Sequence, residues 1–256
     1  MATYKKRGAK KSLSKKIGSD EINESKTAEV FDSLDITANK TEDWVVKYQN
    51  IILILIGTIA VCALSYLGYQ NMVYRPKAKE AISELNQAQY YFDLAINNYN
   101  ESDSLFKKSL NGGDGKFGFL DIIKKYKGTP AAKLARYSAG MAYFNLKEYK
   151  NAIIYLDEFS SDDVLLSSLS KGAIGDAFSQ INQPEEAYQY YLEAAKINNN
   201  LYSTPKYLFK AAMIGVELDK ITKSLSYLMR IKKEFPESEE ANYVDVQIAK
   251  LKTLLQ

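Results

Sequence analysis

Four adjacent acid pairs, Asp157/Glu158, Asp162/Asp163, Glu185/Glu186 and Glu239/Glu240, are by residue type the groups best suited to acid–base chemistry. Neighbours on a helix point about 100° apart, so no pair converges on one substrate atom. They read as solvated acids in loops and at helix starts, where the dipole favours negative charge. The chain has no histidine and one cysteine, Cys62. That removes His-dependent triads, His-ligated metals, zinc Cys/His clusters and intramolecular disulfides. The cluster Gly112-Gly113-Asp114-Gly115 lacks the Gly-Lys-Ser/Thr ending and the preceding strand of a phosphate cradle, so it reads as a turn. The sequence therefore predicts a non-enzyme with no catalytic residue, no cofactor, no metal and no small-molecule substrate.

The remaining chemistry is electrostatic. Lys5, Lys6, Arg7, Lys10, Lys11, Lys15 and Lys16 form a block without an acid, while the net charge of the whole chain is only +3. Tyr4 is the one aromatic there that could stack on a base, so anionic lipid or topology determination suits the block better than RNA, and no nucleic acid is expected. Residues 1–40 keep no helical or strand period and read as a disordered basic tail.

The elements that position everything else are helical. Few Pro and Gly, with abundant Ala, Leu, Lys and Glu, favour long helices over short strands. Between Lys47 and Arg75 no residue is charged, and Ile51–Tyr69 (IILILIGTIAVCALSYLGY) is long enough, at about 28 Å, to cross a bilayer core. Trp44 and Tyr48 flank one end and Tyr66, Tyr69 and Tyr74 the other, as interfacial rings do. The sequence predicts a transmembrane helix with interfacial flanks over 41–75. Ala63-Leu64-Ser65 has the small residues of a signal-peptide cleavage site, but a polar lead of some fifty residues argues against one. Cations close to the span do not decide its orientation: Lys40 and Lys47 on one side stand against Arg75, Lys77 and Lys79 on the other. The polybasic block weighs toward a cytoplasmic N-terminus, with 76–256 across the membrane.

Beyond Arg75 the pattern becomes a repeated helical hairpin. Ala139-Gly140-x-x-Tyr143 is followed by Ala152, Leu156 and Phe159; Ile174-Gly175-x-x-Phe178, 35 residues later, is followed by Ala187, Tyr191 and Ala194. A looser copy runs from Ala211-Ala212 through Ser224, Leu228 and Ile231 to Pro236. The small residues let two helices approach and the large ones fill the space beside them. This spacing resembles the tetratricopeptide repeat. The expected fold is all-α: a tetratricopeptide-repeat helical solenoid preceded by a single transmembrane helix. A degenerate hairpin is expected over 76–128, with one long helix from about Lys77 to Leu110 and a second over 117–126. Three repeats follow over 129–236, then a capping helix over 237–256, with Ser238 as cap and Ala241, Val244, Ile248, Leu251 and Leu255 on its inner side.

Taken in order, the basic tail, the span, AQYYF at 88–92, the Gly-rich break, FGFL at 117–120, KYKGTP at 125–130 and the repeats resemble the YfgM-like family, single-span bacterial tetratricopeptide proteins named for an ancillary subunit of the Sec translocon. The resemblance covers roughly residues 40–256. It implies an inner-membrane protein with a periplasmic repeat domain that contacts the translocon and periplasmic chaperones. The alternative is a structural organiser of envelope assembly or cell division.

In tetratricopeptide stacks the first helix of each hairpin lines the binding groove. That spacing selects Leu134, Tyr137, Met141, Phe144 and Asn145, then Asp176, Ser179 and Gln180, then Phe209, Met213 and Val216. Aromatic, Met and amide side chains suit a peptide segment of a partner protein.

Overall fold

A computed structural model describes residues 26–98 and 100–256, with side chains from Trp44 onward. The described residues are all-α, apart from an isolated bridge between Gly113 and Lys116. The chain divides into two compact units, 1–66 and 67–256.

The first unit contains most of α1, Lys26–Tyr69. Its large apolar residues from Ile51 to Leu64 are nearly all exposed among the described residues. Thr58 returns its hydroxyl to the Ile54 carbonyl at 2.8 Å, which satisfies it without water. This is one helix long and apolar enough to cross a membrane. Its beginning corrects the expectation for 1–40: residues from Lys26 are helical, although their sequence has no apolar period. A helix already nucleated extends into polar sequence at little cost, because propagation needs no new nucleus. The cation block at 5–16 lies outside the described residues.

The second unit takes in the last residues of α1 and then a π-helical turn, Gln70–Tyr74, which leads directly into α2, Arg75–Asn97, with Pro76 in its first turn. The single helix expected to reach Leu110 is broken. Asn98 leaves the helix with φ −125° and ψ 90°, and α3, Ser102–Asn111, folds back on α2. The reversal brings Phe92 to Phe106 at 5.4 Å and to Phe119 of α4 (Phe119–Lys125) at 6.1 Å, both edge to face. These rings, with Leu85, Ala88, Leu110, Ile122 and Tyr126, make one core with the start of α5, Pro130–Asn145. Thr129 caps α5 by accepting the Ala132 N–H, and Pro130 occupies the first turn, where its missing N–H costs nothing.

Then come α6, Tyr149–Asp157; α7, Val164–Gln180; α8, Pro184–Ile197; α9, Ser203–Glu217; α10, Ile221–Glu234; and α11, Ala241–Leu254. Successive helices pack on one another, and α7 also touches α5 and α9. This is the stacked arrangement of a helical solenoid. The last helix begins at Ala241, whose N–H donates to Ser238 Oγ at 3.3 Å. Val244 and Leu251 are buried and Ile248 packs beside them, whereas Leu255, expected on the inner side, is half exposed beyond the helix end.

Candidate functional site

The three hairpins α5–α6, α7–α8 and α9–α10 turn in the same way. Lys147, Asn182 and Asp219 take up positive φ of 62°, 57° and 58° at equivalent positions. The following N–H donates back each time to the same point of the first helix: Glu148 to Tyr143 O, Gln183 to Phe178 O, and Lys220 to Gly215 O, at 2.9, 2.9 and 2.7 Å. Inside the first two hairpins, Tyr143 stacks on Tyr155 and Phe178 on Tyr190, both at 5.3 Å and within 26° of parallel. The third has Gly215 there, and Ser224 and Tyr188 occupy the space an aromatic would need.

Close approach is set by glycine. A methyl group on Gly175 would stand 2.7 Å from the Tyr191 ring, and one on Gly172 2.0 Å from the Tyr207 ring. Tyr207 therefore lies flat across α7, with Tyr191 stacked against it at 6.3 Å and 13°. Serines lock the seams: Ser170 Oγ donates to Leu156 O at 3.0 Å, and Ser168 Oγ to Ala194 O at 2.8 Å.

The sequence-predicted groove residues fall into three sets. Leu134, Asn145 and Gln180 are exposed, and Gln180 accepts a bond from Tyr149 Oη at 3.3 Å. Tyr137, Met141 and Phe144 are half-buried and pack on the cluster around Ala152, Leu156 and Ile174, with Tyr137 against Phe159 at 5.3 Å and Phe144 against Tyr149 at 5.4 Å. Phe209, Met213 and Val216 are half-buried against the third hairpin's core, and Ser179 is half-exposed on α7. Leu134 and Phe159 share a pocket of about 330 Å³ with Tyr74, Lys133, Asp163 and Leu166.

Asp176 is the polar centre of this face. Its Oδ1 accepts from Tyr191 Oη at 2.6 Å and from Lys210 Nζ at 2.5 Å, tying α7, α8 and α9 together. Burial, and next the Asp176 charge, push the Tyr191 and Tyr207 hydroxyls well above the ordinary tyrosine value, and burial raises Tyr137 as well. Smaller contributions in the same direction come from Tyr202 on Tyr137 and from Tyr137 and Tyr202 on Tyr207. Lys206 Nζ sits over the Tyr202 and Tyr207 rings at 5.5 and 5.9 Å. The local spacing missed Lys210, Lys206, Tyr191 and Tyr207 as members of this face. Lys210 stands 34 residues after Asp176, one repeat length, and that offset is the signal that would have found it.

Residues 135–159 and 170–201 match the family described as Tetratricopeptide repeat, that is, α5–α6 and α7–α8. The third hairpin lies outside the matched residues. A comparison with curated proteins finds no match. The matched hairpins and the helical fold identify a tetratricopeptide-repeat module, whose established use is protein–protein interaction.

Proposed function

We propose that this chain is a membrane-anchored adaptor, not an enzyme, that holds a partner protein on the face formed by α5, α7 and α9. The observation that carries the reading is the joining, in one chain, of an uncovered apolar helix and a stack of tetratricopeptide hairpins. The eleven groove residues selected by spacing serve as the contact set, with Leu134, Asn145 and Gln180 giving the accessible polar and apolar contacts. The half-buried Tyr137, Met141 and Phe144 supply the wall beneath them.

The finer reading follows the resemblance to the YfgM-like family. The protein sits in the bacterial inner membrane with the basic tail in the cytoplasm and the repeats in the periplasm, beside the Sec translocon, where it assists exported chains together with chaperones. Alkaline phosphatase joined after Gln256 is then active, and protease added to spheroplasts removes residues 76–256; an inactive fusion with a protected domain reverses the orientation. Mild crosslinking in native membranes followed by pull-down recovers translocon and chaperone subunits. Recovery of wall-synthesis or division proteins instead replaces the export role with an organising one.

A further inference from the structure

Leu201 and Tyr202, 69% and 58% exposed, are held out on a built turn rather than a loose one. Asn200 Oδ1 accepts the Tyr202 and Ser203 N–H groups at 2.8 and 2.7 Å, and its amide donates to Ser203 Oγ at 2.6 Å. Thr204 Oγ1 closes the other side on Asn198 O at 2.6 Å. Leu134, Val164 and Leu165 are exposed at the starts of α5 and α7. The Ser170–Leu156 and Ser168–Ala194 bonds set the start of α7 beside the ends of α6 and α8, so these side chains and the Leu201–Tyr202 turn lie on one edge of the stack. Exposed apolar side chains occur elsewhere too, as neighbours along one helix such as Tyr243 and Val246 on α11 or Tyr90 and Leu94 on α2, so exposure alone does not single out this edge.

What distinguishes this edge is its neighbour. The second unit begins at Leu67, so it includes the last residues of the apolar stretch, and Tyr74 of the same unit lines the pocket with Leu134, Phe159 and Leu166. Tyr74 stands five residues after Tyr69, where the apolar stretch ends. We infer that this edge rests in the interfacial layer of the bilayer that the apolar helix crosses, with Leu201, Tyr202 and Val164 entering among the headgroups. Tyrosine and leucine side chains suit that layer, where rings keep the hydroxyl wet and the carbon frame dry. The edge carries Lys133 and Lys206 but also Asp162 and Asp163, so apolar insertion, not attraction to anionic lipid, holds it there. The repeats are thereby fixed at the membrane surface, where a partner segment emerging from the bilayer meets α5, α7 and α9 directly.

The inference rests on reading Ile51–Tyr69 as a span, and Cys62, the lone cysteine, tests both separately. The full chain is placed in nanodiscs of zwitterionic lipid containing brominated acyl chains and labelled with an environment-sensitive dye. The label sits at Cys62, or in a Cys62→Ser background at Leu201→Cys, Val164→Cys or Glu186→Cys, the last at the hairpin-turn edge. The expected result is quenching at Cys62, at Leu201→Cys and at Val164→Cys, none at Glu186→Cys, and no change when anionic lipid is added. Quenching at Cys62 alone overturns the edge and leaves the span intact; no quenching at Cys62 removes the span and the inference with it. Quenching of the edge positions only in anionic lipid overturns apolar insertion.

Discussion

Lys210 on α9 reaches Asp176 on α7 at 2.5 Å, across the seam between the second and third hairpins. Tyr191 shares the same carboxylate oxygen from α8, so one acid joins three helices. Asp176→Ala strips a buried hydroxyl of its acceptor as well as breaking the ion pair, and the expected loss is about 2 kcal/mol in urea unfolding. Both charged side chains are about one-third exposed, so Lys210→Met, which leaves the Tyr191 bond in place, costs under about 1 kcal/mol. Equal losses from the two variants would mean that the Tyr191 bond contributes nothing.

The contact between Gly175 and the Tyr191 ring sets the spacing of the second hairpin. Gly175→Leu forces Tyr191 off its place, against Tyr207 and Asp176, and destabilises the domain by about 1–3 kcal/mol through overpacking. Thermal unfolding followed by circular dichroism reads the loss, with helix content retained at low temperature. A variant as stable as the parent would show that α7 and α8 are not in close contact there.

Alkaline pH acts through the same tyrosines. Unfolded tyrosine titrates near pH 10, while Tyr191 and Tyr207 resist ionisation in the fold because burial and the Asp176 charge disfavour the phenolate. A raised folded value means that stability is whole below about pH 10 and falls as the pH climbs beyond it, since only the unfolded chain readily releases these protons. Urea midpoints measured from pH 8 to 12 should decline above about pH 10, and Tyr191→Phe with Tyr207→Phe should flatten the decline. An unchanged slope in the double variant would place the sensitivity elsewhere.

Tyr137→Ala with Phe144→Ala tests how far the wall of the face is also core. Both rings pack on the cluster of Ala152, Leu156 and Ile174, so the double variant is expected to lose about 2–4 kcal/mol while remaining folded at low temperature. Leu134→Ser, at an exposed position, should leave the unfolding midpoint nearly unchanged. If the ring variants unfold as readily as the parent, the rings lie free in the groove and not in the wall.

Much of this was legible because it depends on local spacing. Gly140 to Ala152 and Gly175 to Ala187 are twelve apart, and that interval places small residues at the same helix contact in each hairpin. Ile51–Tyr69 declares itself by the absence of charge. The break at Asn98 has a local signal in the polar run Asn97-Asn98-Tyr99-Asn100-Glu101-Ser102-Asp103-Ser104, which a single helix to Leu110 passes over, and it is the meeting of Phe92 with Phe106 and Phe119 that rewards the reversal. On the face itself, spacing within one helix picked out Asp176 but not its partners. Lys210 and Tyr191 reach it from other helices, and only the stacking of hairpins brings them there.

A partner protein lying against α5 and α7 of a membrane-held chain is detected directly by in-membrane photo-crosslinking. A photoreactive residue is introduced singly at Leu134, Asn145 and Gln180, and at Met229 on the outer side chain row of α10, in the full chain in its native membrane. The same protein adduct is expected from Leu134, Asn145 and Gln180 and none from Met229. An adduct from Met229 with none from the three inner positions would rule out binding on α5 and α7 and move the binding surface to the outer helices.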